Sequence, residues 1–153
     1  MPIDPKRICV SGWSYGGMMT SWLITQDHRW ACAVSGAAVD DLVYDYALAD
    51  DIIADRASMP GGSPFVGNNL AAYRAVSPLT YYKNVKTPTL ILSDMYDTRV
   101  PAAQSYAFYH ALHDNGVPVE FYEWPVHGHF PGDPVRTVDV YRYWIDWIAQ
   151  HVK

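Results

Sequence analysis

Short apolar runs, each stopped by a small or polar residue, alternate along this chain with segments whose apolar positions recur every three or four residues. Arg7-Ile8-Cys9-Val10-Ser11 is halted by Gly12, Ala31-Cys32-Ala33-Val34-Ser35 is halted by Gly36, and Pro88-Thr89-Leu90-Ile91-Leu92-Ser93 is a third run of the same kind. Runs this short and this continuously apolar predict strands buried on both faces. Val119-Glu120-Phe121-Tyr122-Glu123-Trp124 alternates more, as a strand near a sheet edge does. Between the runs, residues 18–25 carry Met18, Met19, Trp22 and Leu23 at helical spacing, and residues 102–115 carry Tyr106, Tyr109 and Leu112 ahead of a stop at Gly116. Residues 135–152 place Val138, Tyr141, Trp144, Ile145 and Ile148 on one helical face, with Arg136, Asp139, Arg142 and Asp146 opposite. That reads as an amphipathic helix packed on a sheet. Strands alternating with helices predict an α/β fold: a short, mostly parallel sheet with helices on both faces.

Residues 47–80 break this rhythm. Asp40, Asp41, Asp45, Asp50, Asp51 and Asp55 lead into the turn-rich Met59-Pro60-Gly61-Gly62-Ser63-Pro64. The expectation is a short helix or two within a long excursion, which either shapes a pocket or lies solvated at the surface. No repeat or linker divides the chain, so residues 1–153 read as one unit.

Composition narrows the function classes. Half of the 153 residues are hydrophobic and 18% are charged, enough to bury a core. The net charge of −5 offers no basic surface for nucleic acid. No apolar run approaches the ~18–20 residues that span a bilayer. Met1-Pro2-Ile3-Asp4-Pro5-Lys6 lacks the charged and apolar regions of a secretion signal. Cys9 and Cys32 are too few for a disulfide framework and read as two buried thiols in adjacent strands. A reducing, cytoplasmic location follows from that reading. The tryptophans and most tyrosines read as core and interface, and no cofactor is expected.

The sharpest chemical signal is Gly12-Trp13-Ser14-Tyr15-Gly16-Gly17, a G-x-S-x-G pattern between a predicted strand and a predicted helix. Glycines there permit a tight, strained turn that pushes the Ser14 hydroxyl clear of the sheet. Small residues at 12, 16 and 17 let the helix start close to the strand. The helix N-terminus then presents backbone N–H groups, first that of Tyr15, beside the reacting oxygen. A serine hydroxyl needs a base to take its proton, and the base needs an acid to orient it. Asp94 and Asp97, after the third run, are the acid candidates. His127 and His129, after the fourth, are the base candidates. The His-x-His spacing also fits a metal pair, although no further ligands cluster with it.

Together Gly12-Trp13-Ser14-Tyr15-Gly16-Gly17, Asp97-Thr98-Arg99-Val100-Pro101 and Gly128-His129-Phe130 resemble the catalytic domain of the prolyl oligopeptidase family of serine peptidases, within the α/β-hydrolase superfamily. Asp4-Pro5-Lys6-Arg7-Ile8 and Ser77-Pro78-Leu79 add to the likeness, which is nearest the dipeptidyl aminopeptidase and acylaminoacyl peptidase branches. The resemblance implies Asp97 as the acid, two positions ahead of Arg99-Val100-Pro101, and His129 as the base, following Gly128. Asp94 stands where many relatives carry glycine, which implies a structural or helix-capping role. The family places the segment after the second strand beside the scissile bond, implying Val39, Leu42, Tyr44 and Tyr46 as an apolar substrate pocket with Tyr15 as a wall. Trp13, Arg99 and Val100, beside the nucleophile and the acid, complete the expected substrate contacts. Arg99 either holds a substrate carbonyl or carboxylate or pairs with a neighbouring aspartate.

Relatives place the nucleophile strand fifth of eight, and here it is the first. The expectation is therefore a truncated α/β-hydrolase, a single partial catalytic domain over residues 1–153 without a propeller. The first strand would then be an open apolar edge, which predicts a homo-oligomer or a partner half. The second oxyanion donor, a tyrosine side chain in the family, would be missing, leaving the Tyr15 N–H. The expected activity is that of a serine hydrolase acting through an acyl-enzyme on small carboxylic esters and, less well, on short peptides. The alternative is a catalytically weak or inactive hydrolase that self-associates or binds a partner through its open edge.

Overall fold

The computed structural model describes residues 4–59 and 61–153, and for residues 54 and 55 the backbone alone. Met1, Pro2, Ile3 and Pro60, and the side chain of Asp55, lie outside the described residues. The elements run β1 (Cys9–Trp13), α1 (Tyr15–Gln26), β2 (Cys32–Gly36), α2 (Leu42–Leu48), α3 (Ile52–Ser58), α4 (Asn69–Ala75), β3 (Thr89–Tyr96), α5 (Ala103–Asp114), β4 (Val119–His127) and α6 (Pro134–His151). Single 3₁₀ segments, Pro5–Arg7 and Pro78–Asn84, precede β1 and β3. The described residues form one four-stranded sheet in the order β1-β2-β3-β4, parallel at every pairing. Parallel neighbours need crossovers, and the helices supply them.

Alternation along each strand sends side chains to opposite faces, and helices cover both. Ala33 and Ile91 pack with Ile24 of α1 and with Phe108 and Leu112 of α5. Cys32, Val34, Leu90 and Leu92 pack on the other face with Val140 and Trp147 of α6. Every residue of β2 is buried, which is why its run carries no polar alternation. β1 and β4 are the two edges. β1 runs on through Gly12 to Trp13, because Gly12 is extended and lies opposite Ser35 in register.

Within residues 47–80 lie two short α-helices, α3 and α4, as expected, and a further short helix, α2, precedes them. Several expectations change. The buried face of α1 is Gly17, Thr20, Ser21, Ile24 and Thr25, not the stripe of large side chains, because small residues are needed where the helix approaches β2. A Cβ on Gly17 would lie 2.4 Å from the Gly36 carbonyl oxygen. The inward face of α6 is likewise rotated from the expected one. Val140, Trp147 and Arg136 are buried, while Val138, Tyr141 and Ile145 are exposed. Arg136 turns inward because an acid waits there for it.

The cysteines overturn a further expectation. Cys9 and Cys32 are joined in a disulfide, with Cα atoms 4.6 Å apart. The cause is register: they sit directly opposite one another in the β1–β2 pairing, inside the separation a disulfide can span. A single cross-strand bridge needs only that register, not the several cysteines of a framework. The expectation of two free thiols falls, and with it the argument for a reducing compartment. No helix among the described residues is long and apolar enough to cross a membrane.

Candidate functional site

Ser14 occupies the single residue between β1 and α1, with φ +60° and ψ −124°. A non-glycine residue held there stores roughly 1–3 kcal/mol of strain, and close packing on both sides maintains it. A Cβ on Gly12 would lie 2.4 Å from the carbonyl carbon and oxygen of Gly16. The Ser14 N–H donates to the Gly36 carbonyl at 2.9 Å, tying the turn to β2. Gly16 differs from its neighbours: a Cβ there would meet nothing within 4 Å. Of the three small residues in the motif, 12 and 17 are therefore sterically required and 16 is not.

The strand ends bring two further side chains to this turn. Asp97 follows β3 directly and His129 lies two residues beyond β4. His129 Nε2 is 2.6 Å from Ser14 Oγ, and its Nδ1 is 2.7 Å from Asp97 Oδ2. The Asp97 side chain is fully buried. Its other oxygen accepts from the backbone N–H of Arg99 at 2.8 Å and of Val100 at 3.0 Å. Carboxylate, imidazole and hydroxyl thus form one hydrogen-bonded chain, drawn from residues 115 positions apart at the extremes. Tyr15 opens α1, so its N–H has no carbonyl one turn earlier to pair with.

The rejected candidates have other occupations. His127 stacks on Tyr96 with ring centroids 4.8 Å apart. Among the described residues no group of three or more His, Cys, Asp or Glu side chains is placed to hold a metal ion. Asp94 pairs with Arg136, Oδ2 to Nη1 at 2.6 Å, with both side chains buried. Burial raises the Asp94 carboxyl above its ordinary range, and the Arg136 guanidinium opposes that rise. Asp94 is thus structural, but it caps no helix.

Two cavities flank the chain of hydrogen bonds. One, of about 450 Å³, is lined by Tyr15, Met18, Val39, Leu42, Ser58, Met59 and Val76. The other, of about 370 Å³, is lined by Asp50, Asp97, Thr98, Arg99, Gly128, His129 and Phe130. Val39 and Leu42 line the apolar cavity. Tyr46 instead packs edge-on against Phe65 and Tyr73, and Tyr44 lies exposed outside the apolar cavity. Trp13 reaches the site as a support: its Nε1–H donates to the His129 carbonyl at 2.6 Å. Val100 is buried and contributes its backbone N–H rather than its side chain. Arg99 takes the second of its two expected roles, pairing with Asp50 at 2.6 Å and Asp51 at 3.2 Å. The hydrogen bond from Arg99 holds the Asp50 carboxyl below its ordinary range. Sequence reasoning missed Met18, Ser58, Met59 and Val76 as cavity lining. The last three come from the excursion, whose path no local pattern announced.

Asp40, between β2 and α2, is 1% exposed. Burial pushes its carboxyl up to about 8, against a weaker opposing contact from the Ser21 hydroxyl and with a further push from Asp41. Neither carboxyl oxygen has a well-formed hydrogen bond among the described residues. The folded chain therefore holds this proton more tightly than the unfolded chain, whose carboxyl titrates near 3.8. The associated stability is full below that value, declines as pH rises and is lost by about 8. The expected slope is about 1 kcal/mol per pH unit between those limits. Urea unfolding of Asp40→Asn will lose this decline and will exceed the parent in stability at pH 8. Equal pH dependence in both proteins would show that the carboxyl is not held neutral.

Comparisons with known proteins fit this geometry. The family model described as "Prolyl oligopeptidase family" matches residues 2–153. The chain is 31% identical over 155 residues to dipeptidyl-peptidase 5 of Porphyromonas gingivalis, covering 99% of this chain and 22% of that protein. It is 27% identical over 156 residues to the acylamino-acid-releasing enzyme of Mus musculus, covering 97% of this chain and 21% of that one. Among solved structures, the uncomplexed acylaminoacyl peptidase of Pyrococcus horikoshii superposes with a TM-score of 0.89 at 32% identity, covering 98% of this chain and 25% of that one. The chain thus spans between about a fifth and a quarter of the length of these relatives.

Proposed function

The chain belongs to the prolyl oligopeptidase family, and from that premise we propose that it is a serine hydrolase whose nucleophile, general base and orienting acid are Ser14, His129 and Asp97. The observation that carries this reading is the unbroken contact from Asp97 through His129 to Ser14 Oγ, at 2.7 and 2.6 Å. His129 Nε2 takes the hydroxyl proton as Oγ attacks the substrate carbonyl carbon. The developing oxyanion is stabilised by the Tyr15 N–H. The imidazolium returns the proton to the leaving group, and an acyl-Ser14 ester remains. Water, activated by the same imidazole, then releases the acid. Asp97, held by two backbone N–H groups, keeps Nδ1–H pointed inward and Nε2 free to accept.

The substrate class follows from the walls. The apolar cavity beside Tyr15 suits a small acyl group or an apolar side chain next to the scissile bond. Peptide bonds are the family's substrate. Small activated esters are the substrates proposed for a direct assay, because their good leaving groups need little help from the general acid. A series of nitrophenyl esters of increasing acyl length, run beside aminoacyl amides, tests this. Expected are Ser14-dependent ester turnover with an optimum at short to medium acyl length, and much slower amide turnover. The rate will rise with pH as the imidazole loses its proton. Turnover that does not depend on Ser14, or that is flat in pH where imidazoles titrate, would refute the assignment.

A second reading is favoured by the open edge. β1 pairs on one side only among the described residues, and α6 exposes Val135, Val138, Tyr141 and Ile145 along one stripe. An unpaired strand beside exposed apolar surface invites self-association. Sedimentation at micromolar concentration will show a dimer or larger species, and a compact monomer would contradict this reading.

A further inference from the structure

We propose that the buried Asp94–Arg136 ion pair is a positioning device that ties the loop carrying His129 to the turn carrying Asp97 and sets the charge facing the imidazole. This rests on the hydrolase reading above. The pair lies outside the acid, base and nucleophile.

The geometry converges on one guanidinium. Arg136 Nη1 meets Asp94 Oδ2 at 2.6 Å, with side-chain exposures of 4% and 0%. Arg136 Nη2 donates to the carbonyl of Phe130, the residue after His129, at 2.6 Å. The Asp97 N–H donates to the Asp94 carbonyl at 3.1 Å, closing the turn that presents the acid. The same Arg136 backbone N–H donates to Asp133 at 2.8 Å, where α6 is capped. A single side chain from α6 thus contacts both the turn that presents Asp97 and the loop that follows His129.

Stability alone does not account for such a pair. Desolvating two charges costs about as much as their attraction returns, and apolar replacements of similar volume are often as stable or more so. What the pair supplies is fixed relative placement, which matters here because a displacement of about 1 Å between base and nucleophile costs on the order of 10² in rate. It also supplies electrostatic neutrality. The charged groups around the imidazole are Asp97, Arg136 with its partners Asp94 and Asp133, and Arg99 with its partners Asp50 and Asp51; the His129 charge is felt at both Asp94 and Asp50. With Asp94 neutralised, the Arg136 guanidinium keeps only the longer contact to Asp133, Nε to Oδ2 at 3.6 Å, so the charge balance near His129 becomes more positive and disfavours the imidazolium.

Asp94→Asn, Arg136→Lys and the double variant Asp94→Asn/Arg136→Gln, compared with the parent, test the proposal. Expected for Asp94→Asn is a fall in kcat of about 10–100-fold with KM nearly unchanged. Its pH–rate midpoint will move down. The double variant, neutral again, will return the midpoint to the parent's value while kcat stays low, because the grip on the Phe130 carbonyl is gone. Arg136→Lys will keep the parent midpoint yet lose rate, having charge without the second donor. The His129 ring titration, followed by NMR and assigned against His129→Ala, gives the same midpoints without turnover. A parent that titrates but shows no Ser14-dependent activity would therefore sink the hydrolase reading and leave the electrostatic part testable. An unchanged midpoint in Asp94→Asn, with rates lowered only as far as its folded fraction falls by circular dichroism, would reduce the pair to a structural contact and overturn the proposal.

Discussion

Replacing Ser14 by alanine will abolish both ester turnover and covalent labelling by a fluorophosphonate, with a fall in kcat on the order of 10⁴–10⁶. Oγ is the only atom removed, and it supports little else. The side chain makes no capping bond to α1, and its recorded partner is the imidazole at 2.6 Å. The substitution will therefore leave the unfolding midpoint nearly unchanged, so the loss is chemical rather than structural. His129→Ala will cost a similar factor, since the hydroxyl without its base is a weak nucleophile. Asp97→Asn will cost about 10⁴ by favouring the wrong imidazole tautomer. Because the three act as a unit, the triple variant will be little worse than Ser14→Ala alone. Peptide mapping of the labelled parent will find the adduct on Ser14. An adduct on another residue, or full activity in Ser14→Ala, would defeat the proposed mechanism.

Gly12→Ala will collapse the turn that carries the nucleophile, whereas Gly16→Ala, four residues away in the same motif, will be tolerated. At position 12 the new methyl would lie 2.4 Å from the backbone carbon and oxygen of Gly16 and 2.8 Å from its Cα. Those atoms belong to the first turn of α1, so relief requires unwinding the helix start or separating it from β1. Overpacking against backbone costs about 3 kcal/mol or more. The measurable result is a lowered unfolding midpoint and loss of labelling at Ser14. At position 16 the methyl meets open space, and alanine is worth about 0.5–1 kcal/mol over glycine within a helix. Gly16→Ala will therefore match or exceed the parent in stability. If both variants unfold alike, the steric account of the motif is wrong.

The two substitutions also show how much of the site was legible in the residue order. The motif around Ser14 was plain because its geometry is local: a strand, a turn and a helix within six residues. Which of its glycines is indispensable was not, since Gly12 is crowded by Gly16 and Gly17 by Gly36 only after the chain folds back. The acid and the base were narrowed to two candidates each by their position after strands, and the family likeness then separated Asp97 from Asp94 and His129 from His127. The excursion after β2 hid its contribution. Ser58, Met59 and Val76 meet at the cavity through helices too short to carry a periodic signal.

The order of residues was sufficient for the alternation of strands and helices, the parallel sheet and the presence of a strained serine turn, because each depends on nearest neighbours and on the spacing of apolar positions. Register was beyond it. The Cys9–Cys32 bond, the inward turn of Arg136 onto Asp94 and the clamp of Arg99 on Asp50 each join residues 23 or more positions apart. Their energies are set by which side chains share a burial site and by the charge or bond that site then demands. No local preference encodes that meeting; it exists once the strands have paired.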